Sequence, residues 1–223
     1  MEIGAKPTTQ RRAERTRDRL IDALDSLLRE RPFPEIAVAD IARRAGVSTG
    51  TVYQRFQNRD ASVSILLALY YRRVQEWSAA PGGTVAEPRD LRSALELIGR
   101  NAWRQVAELG YVMRPAYLHS RLSPELVGPT WSRLERIAQR GYVELLAKFE
   151  SEIAREDPAR TAGTMAAFIN LMALSRLLHP ESAAPFLQSQ EAFVRDFVDL
   201  AYHYLTNRSV GSAPARRERK QKP

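Results

Sequence analysis

Leu20, Leu24, Leu27 and Leu28 recur at i, i+4, i+7 and i+8, one face of a helix that the spacing predicts from about Gln10 to Arg31. Pro32 and Pro34 stop it, because proline removes a backbone donor and clashes with the preceding turn. Val38, Ile41, Ala42 and Ala45 make the inward face of a short second helix that ends at Gly46. Ser48 opens a third short helix, with Val52 and Phe56 four apart and pointing inward. Asn58 caps a fourth, with Asp60 in its first turn, running to about Trp77. The Pro- and Gly-rich stretch 80–89 reads as a loop. Beyond it, helical patterns span about 89–109, 111–121, 124–156, 158–178 and 188–206, with breaks at Gly110, Pro124 and Pro158 and at the pair Pro180 and Pro185. Pro115 falls inside the second of these, where it favours a kink. No stretch alternates with a period of two and none repeats, so the pattern predicts an all-α fold of about nine helices.

The second and third helices are joined by Gly46-Val47-Ser48. Glycine permits the positive φ of a sharp reversal. Val47 plugs the corner, and the Ser48 hydroxyl caps the next helix. Those are the parts of a helix-turn-helix. With Val52 and Phe56 inside, the opposite face of the third helix carries Thr49, Gly50, Tyr53, Gln54 and Gln57, with Thr51 and Arg55 on its flanks. None is acidic, and their side chains donate to phosphates or base edges. Gly50 lets the backbone approach a duplex closely, and Arg59 follows where its charge can clamp a phosphate.

Charge strengthens that picture at the ends only. Of the net +8, residues 1–60 contribute +3 (12 Lys/Arg against 9 Asp/Glu) and residues 207–223 contribute +5 (6 against 1), while 61–206 is balanced at 16 and 16. A neutral middle between basic ends suggests a polyanion partner for the ends. The chain has no cysteine, which excludes disulfides, thiolate metal sites and cysteine nucleophiles. His119, His179 and His203 match no metal-ligand spacing, so neither metal nor cofactor is expected. No run of about 18 apolar residues occurs, so no membrane span is expected. No apolar stretch precedes the first basic cluster either, and the expectation is a cytoplasmic protein.

Ala45-Gly46-Val47-Ser48, Gly50-Thr51-Val52-Tyr53, Phe56 and Asn58-Arg59-Asp60, preceded by an amphipathic helix and Phe33, resemble the DNA-binding domain of the TetR family of bacterial transcriptional regulators over about residues 15–65. The resemblance implies that Thr51, Tyr53 and Arg59 contact phosphates, that Thr49, Gly50, Gln54 and Arg55 lie nearest the bases, and that Ser48 completes the DNA-facing set. The family pattern often has Ser or Thr where this chain has Ala37, at a position that caps the motif's first helix and touches phosphate; a methyl group does neither. The division it implies is an unstructured start over 1–9, a DNA-binding domain over 10–60, a ligand-binding and dimerisation domain over 61–206, and an unstructured basic tail over 207–223.

The resemblance also implies a small-molecule pocket in the middle helices and dimerisation through the last two. Trp103, Tyr111, Met113, Tyr117, Trp131 and Tyr142 are the aromatic and Met residues on the middle helices suited to line a pocket. Phe168 and Met172, with Phe193, Phe197, Leu200 and Tyr204, supply apolar bulk for a homodimer face, although the same stripe also suits a core within one chain. The function expected is a ligand-responsive repressor that binds a palindromic double-stranded DNA operator as a homodimer. An activator of the same fold, or a DNA binder without an effector, has the same sequence signature. Gly46-x-Ser48-x-Gly50 also spells the nucleophile elbow of serine hydrolases. That chemistry needs a strand before the serine, whereas 39–45 has helical period and two arginines, so no enzyme is expected.

Overall fold

A computed structural model of the protein describes residues 6–56, 60–79, 87–155 and 157–207, without the side chains of 6–9, 78, 127–135, 137–139 and 158. The described residues are helical, with no strand among them: α1 (Lys6–Leu28), α2 (Val38–Ala45), α3 (Thr49–Arg55), α4 (Ala61–Ala79), α5 (Leu91–Leu122), α6 (Pro124–Ala147), α7 (Pro158–Leu178) and α8 (Gln190–Thr206). Short 3-10 turns lie at Phe33–Glu35, Glu150–Glu152 and Pro185–Leu187. The all-α class holds, with three local corrections. The helix expected over 124–156 ends at Ala147. The helices expected over 89–109 and 111–121 are one helix, α5, which runs through Gly110 and contains Pro115. The start of the chain is helical from Lys6 rather than from Gln10. The tail beyond Asn207 and the cap expected at Asn58 lie outside the described residues.

The chain packs as two compact units. One comprises Met1–Thr84 with Arg104–Glu135. Its core joins Leu20, Leu24 and Leu27 of α1, Ile41 and Ala45 of α2, Val52 of α3, Ile65, Leu66 and Leu69 of α4, and Val112 and Ala116 of α5. Burying each of the leucine, isoleucine and valine side chains is worth roughly 1.5–3 kcal/mol, which is why helices as short as α2 and α3 hold their shape. Asp25 of α1 is the one charged residue buried among the described residues, only 9% exposed. Its carboxylate accepts hydrogen bonds from Arg73 Nη2 at 2.6 Å and Nε at 3.2 Å and from the Tyr111 hydroxyl at 2.6 Å, and Arg29 approaches to 3.5 Å.

The other unit comprises Val85–Trp103 with Arg136–Pro223. Leu91, Leu95 and Ile98 of α5, Leu146 of α6, Met165, Ile169 and Met172 of α7, and Phe193, Phe197 and Ala201 of α8 form its core. Asp90 accepts from the Ser93 amide at 2.7 Å and Glu152 from the Leu91 amide at 3.1 Å, satisfying donors at the start of α5. A Cβ on Gly99 would sit 3.3 Å from the Phe197 ring, so glycine is what lets α5 and α8 pack this closely. Within this unit Ala159–Leu178 is long and apolar enough, by length and composition, to cross a membrane. Ala162, Met165, Ala166, Ile169 and Met172 of that helix are buried in the unit, which accounts for its apolar character.

Candidate nucleic-acid interface

α1 supplies the platform. Its C-terminal half is clamped to α2 by Arg44, which hydrogen-bonds Ser26 at 2.5 Å and holds Glu30 through two contacts of 2.8 Å. Arg31 pairs with Asp40 at 2.7 Å, and Arg43 pairs with the same carboxylate. Phe33, in the turn after α1, is buried with its ring edge-on to His119 at 5.0 Å. That packing ties His119 of α5 to the turn after α1. At the start of α2 the carboxylate of Asp40 accepts the Ala37 amide at 3.1 Å. This half of a capping box compensates for the missing hydroxyl at position 37. The Ala37 amide, more than Arg31 and Arg43 and against the opposing effect of burial, holds the Asp40 carboxyl below its usual range.

The turn is built as its residues require. Gly46 sits in the left-handed region at φ 64° and is the one described residue with positive φ. Its amide donates to the Arg43 carbonyl at 3.2 Å, and the Val47 amide reaches the Ala42 carbonyl at 3.0 Å. Val47 packs on the core as the plug of the corner. Ser48 caps α3: its hydroxyl accepts the Thr51 amide at 3.2 Å and lies 2.9 Å from the Thr51 hydroxyl. Val52 is fully buried and Phe56 half-buried against the same core. The other face of α3 therefore stands in solvent: Ser48, Thr49, Gly50, Tyr53, Gln54 and Arg55 are exposed, Tyr53 to 48%, and Thr51 is half-exposed. A Cβ on Gly50 would meet only the Ser48 hydroxyl, at 3.8 Å, so this stretch of backbone is open to close approach. The geometry offers hydroxyl, amide and guanidinium groups on one convex, acid-free surface, the chemistry that contacts phosphates and base edges. Arg59 and Gln57 lie outside the described residues.

Residues 20–61 match the family described as bacterial regulatory proteins, tetR family. The chain is 25% identical to an HTH-type transcriptional regulator BetI of Cronobacter sakazakii over 218 residues, 97% of this chain and 98% of that one. It is 27% identical to a BetI of Brucella anthropi over 198 residues, 88% and 94% of the two chains. The family match falls on the helix-turn-helix and its supporting helix, and the relatives run along the whole chain, so the chain is similar to TetR-family regulators. Its fold is that of a TetR-family regulator of Rhodococcus sp. (TM-score 0.57, 20% identity, 86% of this chain and 99% of that one) and of the fatty acid degradation regulator FadR of Bacillus halodurans (TM-score 0.55, 18% identity, 84% and 94%). The family match over the helix-turn-helix, with the full-length regulators it resembles, makes the protein a transcriptional regulator. The hydrolase reading of Ser48 also fails on geometry: a helix, not a strand, precedes this serine, and its hydroxyl caps α3.

The residues expected to line a ligand pocket divide between the two units. Trp103 packs on Phe193 at 5.5 Å between ring centres, with the Arg176 guanidinium 3.6 Å above its indole. Tyr142 packs on the same core, and burial raises its phenol pKa. In the regulator's other unit, Tyr111 points to Asp25 and lies under Arg29, so its hydroxyl serves a structural network rather than an open pocket. Met113 packs on that unit's core, and Tyr117 lies under Arg121. Trp131 is on α6, its side chain outside the described set.

The residues expected at a dimer face need a sharper correction. Phe193 and Phe197 are fully buried within their own chain and Met172 nearly so, because Gly99 brings α5 against that side of α8. No partner can reach the two phenylalanines. Tyr204 is half-buried with Arg155 stacked 4.0 Å above its ring. Phe168, Met172 and Leu200 line a shallow groove of about 460 Å³ with Phe186, Asp196 and Asp199. Leu171 and Leu200 stand exposed, at 64% and 59%. The apolar content of α7 and α8 is visible in the sequence; which side of each helix meets the core is not.

Proposed function

We propose that the protein is a ligand-responsive repressor that binds a palindromic operator in the cytoplasm as a homodimer. The observation that carries this reading is the acid-free, exposed face of α3 mounted on a buried hydrophobic core. In this reading 10–60 is the reader, and 61–206 senses the effector and dimerises. Gln54 and Arg55, with Thr49 and the Gly50 backbone, meet base edges, while Ser48, Thr51, Tyr53 and Arg59 hold phosphates. A two-fold protein places its two reading helices in successive major grooves about 34–36 Å apart, so the operator is an inverted repeat. Leu171 and Leu200, exposed on α7 and α8, with the groove lined by Phe168, are the apolar surface this reading gives to the partner subunit.

Effector recognition falls to a small molecule held near Trp103 and Tyr142. A related fold, the regulator RolR, was solved with resorcinol bound (TM-score 0.52, 17% identity), which supports an aromatic or similarly small effector for this chain. The effector releases DNA by binding better to the dimer whose readers are wrongly spaced. A coupling of roughly 1–3 kcal/mol weakens operator binding about 5- to 150-fold. Fluorescence anisotropy on DNA from upstream of the protein's own gene, against scrambled duplex across a salt series, tests the reading. Nanomolar, sequence-selective binding supports it, and equal affinity for both duplexes overturns it. Reporter expression that falls rather than rises when the gene is deleted would favour an activator.

A further inference from the structure

The first half of α1 carries Arg11, Arg12, Arg15, Arg17 and Arg19, all exposed. Among the described residues none of the five makes an ion pair, whereas Arg29, Arg31, Arg43, Arg44, Arg72 and Arg73 of the same unit are all paired to carboxylates. Three acids lie nearby: Glu14 accepts from Gln10, Asp22 is held by Arg72, and Asp18 forms no ion pair with any of the five among the described residues. Nor does the core occupy this part of the helix, since Thr16 is the first buried residue of α1 and Leu20 the first fully buried one. At 1.5 Å per residue, the stretch from Lys6 to Thr16 runs roughly 15 Å past the core.

Three of these arginines lie on the side where α3 is. Arg12, Arg19 and Ser26 are spaced by seven residues, two helical turns, and so share one edge of α1; Arg15 lies between the first two on the same side. Ser26 is where Arg44 of α2 is bound, and Asp40, earlier in α2, is bound to Arg31. Advancing along α2 from 40 to 44 thus retreats along α1 from 31 to 26. The chain leaves α2 toward the N-terminal half of α1, so the turn begins on that side, and α3 packs against α1 as well as α2.

We propose that Arg12, Arg15 and Arg19 form a second DNA contact that grips backbone phosphates beside the groove read by α3. The proposal rests on the reading of α3 as the DNA-contacting helix and adds a sequence-independent hold outside the helix-turn-helix. Guanidinium groups without carboxylate partners on an acid-poor edge match a row of phosphates by charge and by geometry. Contacts of this kind fix position and affinity without reading sequence.

The test compares the full-length wild type with R12Q/R15Q/R19Q on a short mixed-sequence duplex and on the duplex the wild type enriches from a random library. Each phosphate contact contributes about 0.9 to the slope of log K against log salt, so removing three flattens the slope by about 3 per subunit. The library-enriched sequence stays the same, because no base contact is removed. R12K/R15K/R19K keeps the wild-type slope, and Arg17→Gln, off the edge, leaves it unchanged. A slope that stays at the wild-type value in the triple Gln variant overturns the proposal while the reading of α3 stands. So does an Arg17→Gln variant that flattens it as much as each of the three, since charge anywhere would then suffice. Failure of the wild type to bind either duplex overturns both.

Discussion

Asp25→Asn is the most informative single perturbation of the folded unit that carries α3. The substitution keeps the side chain's size. It removes the charge that faces Arg73 and Arg29 and replaces one acceptor oxygen with an amide NH2, a donor facing donors. Breaking a buried charge pair from one side costs about 3–5 kcal/mol. Arg73 and Arg29 retain contact with water, and Arg73 keeps Glu76 at 2.7 Å, so the expected loss is lower, roughly 2–3 kcal/mol. For a chain of this size that is a fall in Tm of about 5–10 °C. Burial by itself pushes the Asp25 carboxyl up, but hydrogen bonds from Arg73 and Tyr111 and the charges of Arg73 and Arg29 more than reverse it, and the net shift is downward from the ordinary 3.8. Stability from such a group is fully present above the unfolded-state pKa and is lost as pH falls through the folded one. The wild type should therefore exceed Asp25→Asn by a constant margin at neutral pH, and the margin should close below about pH 4. Circular dichroism melts from pH 7 to pH 3 measure it. A Tm gap under about 2 °C at neutral pH, or a gap that does not narrow in acid, would show that the network is solvated and contributes nothing.

Gly46→Ala introduces a Cβ that meets no atom within 4 Å, so its effect is backbone strain alone at φ 64°: a loss of about 1–2 kcal/mol in urea titration, where no change would mean that the turn relaxes. Tyr53→Ala should weaken binding to every duplex, while Gln54→Ala should cost about 1–3 kcal/mol of discrimination at one base pair, read by competition between operator variants. L171D/L200D, which puts charge on the exposed face of α7 and α8, should convert the proposed dimer to monomer in sedimentation velocity while leaving the melting of the monomer near wild type, since neither side chain is in the core.

The helix-turn-helix was legible in the sequence because everything that makes it is local. The leucine stripe of α1, the glycine that must take a positive φ, the serine two positions on and the buried pair Val52 and Phe56 all lie within about forty residues. The expected break at Gly110 went wrong for a related reason. A single glycine costs a helix only about 1 kcal/mol. Leu109, Val112 and Ala116 carry one buried stripe straight across it, and their packing outweighs that cost. The fate of Phe193 and Phe197 was not legible, because an apolar stripe does not say whether it faces its own chain or another. The Asp25 network was hidden for a third reason: Tyr111 lies 86 positions from its acceptor and Arg73 48, with no local pattern to join them.

The size of α3 argues for the rest of the proposed mechanism. A helix of seven residues with Val52 held inside and Gly50 without a side chain leaves few groups for base edges, Gln54 and Arg55 foremost, with Thr49 beside them. At about 1–3 kcal/mol per good base contact, one copy supplies roughly 2–6 kcal/mol of discrimination from two such contacts. Specific regulators need about 4–10 kcal/mol over non-specific sites, so a single reader reaches only the lower part of that range, while two readers, at roughly 4–12 kcal/mol, span it. The arginine edge of α1 cannot make up the difference, since phosphate contacts raise affinity for every sequence alike. In the proposed mechanism the further selectivity comes from pairing two α3 helices, which also gives an effector something to disrupt: a change in the spacing between two readers would remove the second reader's discrimination without altering a single base-contacting side chain.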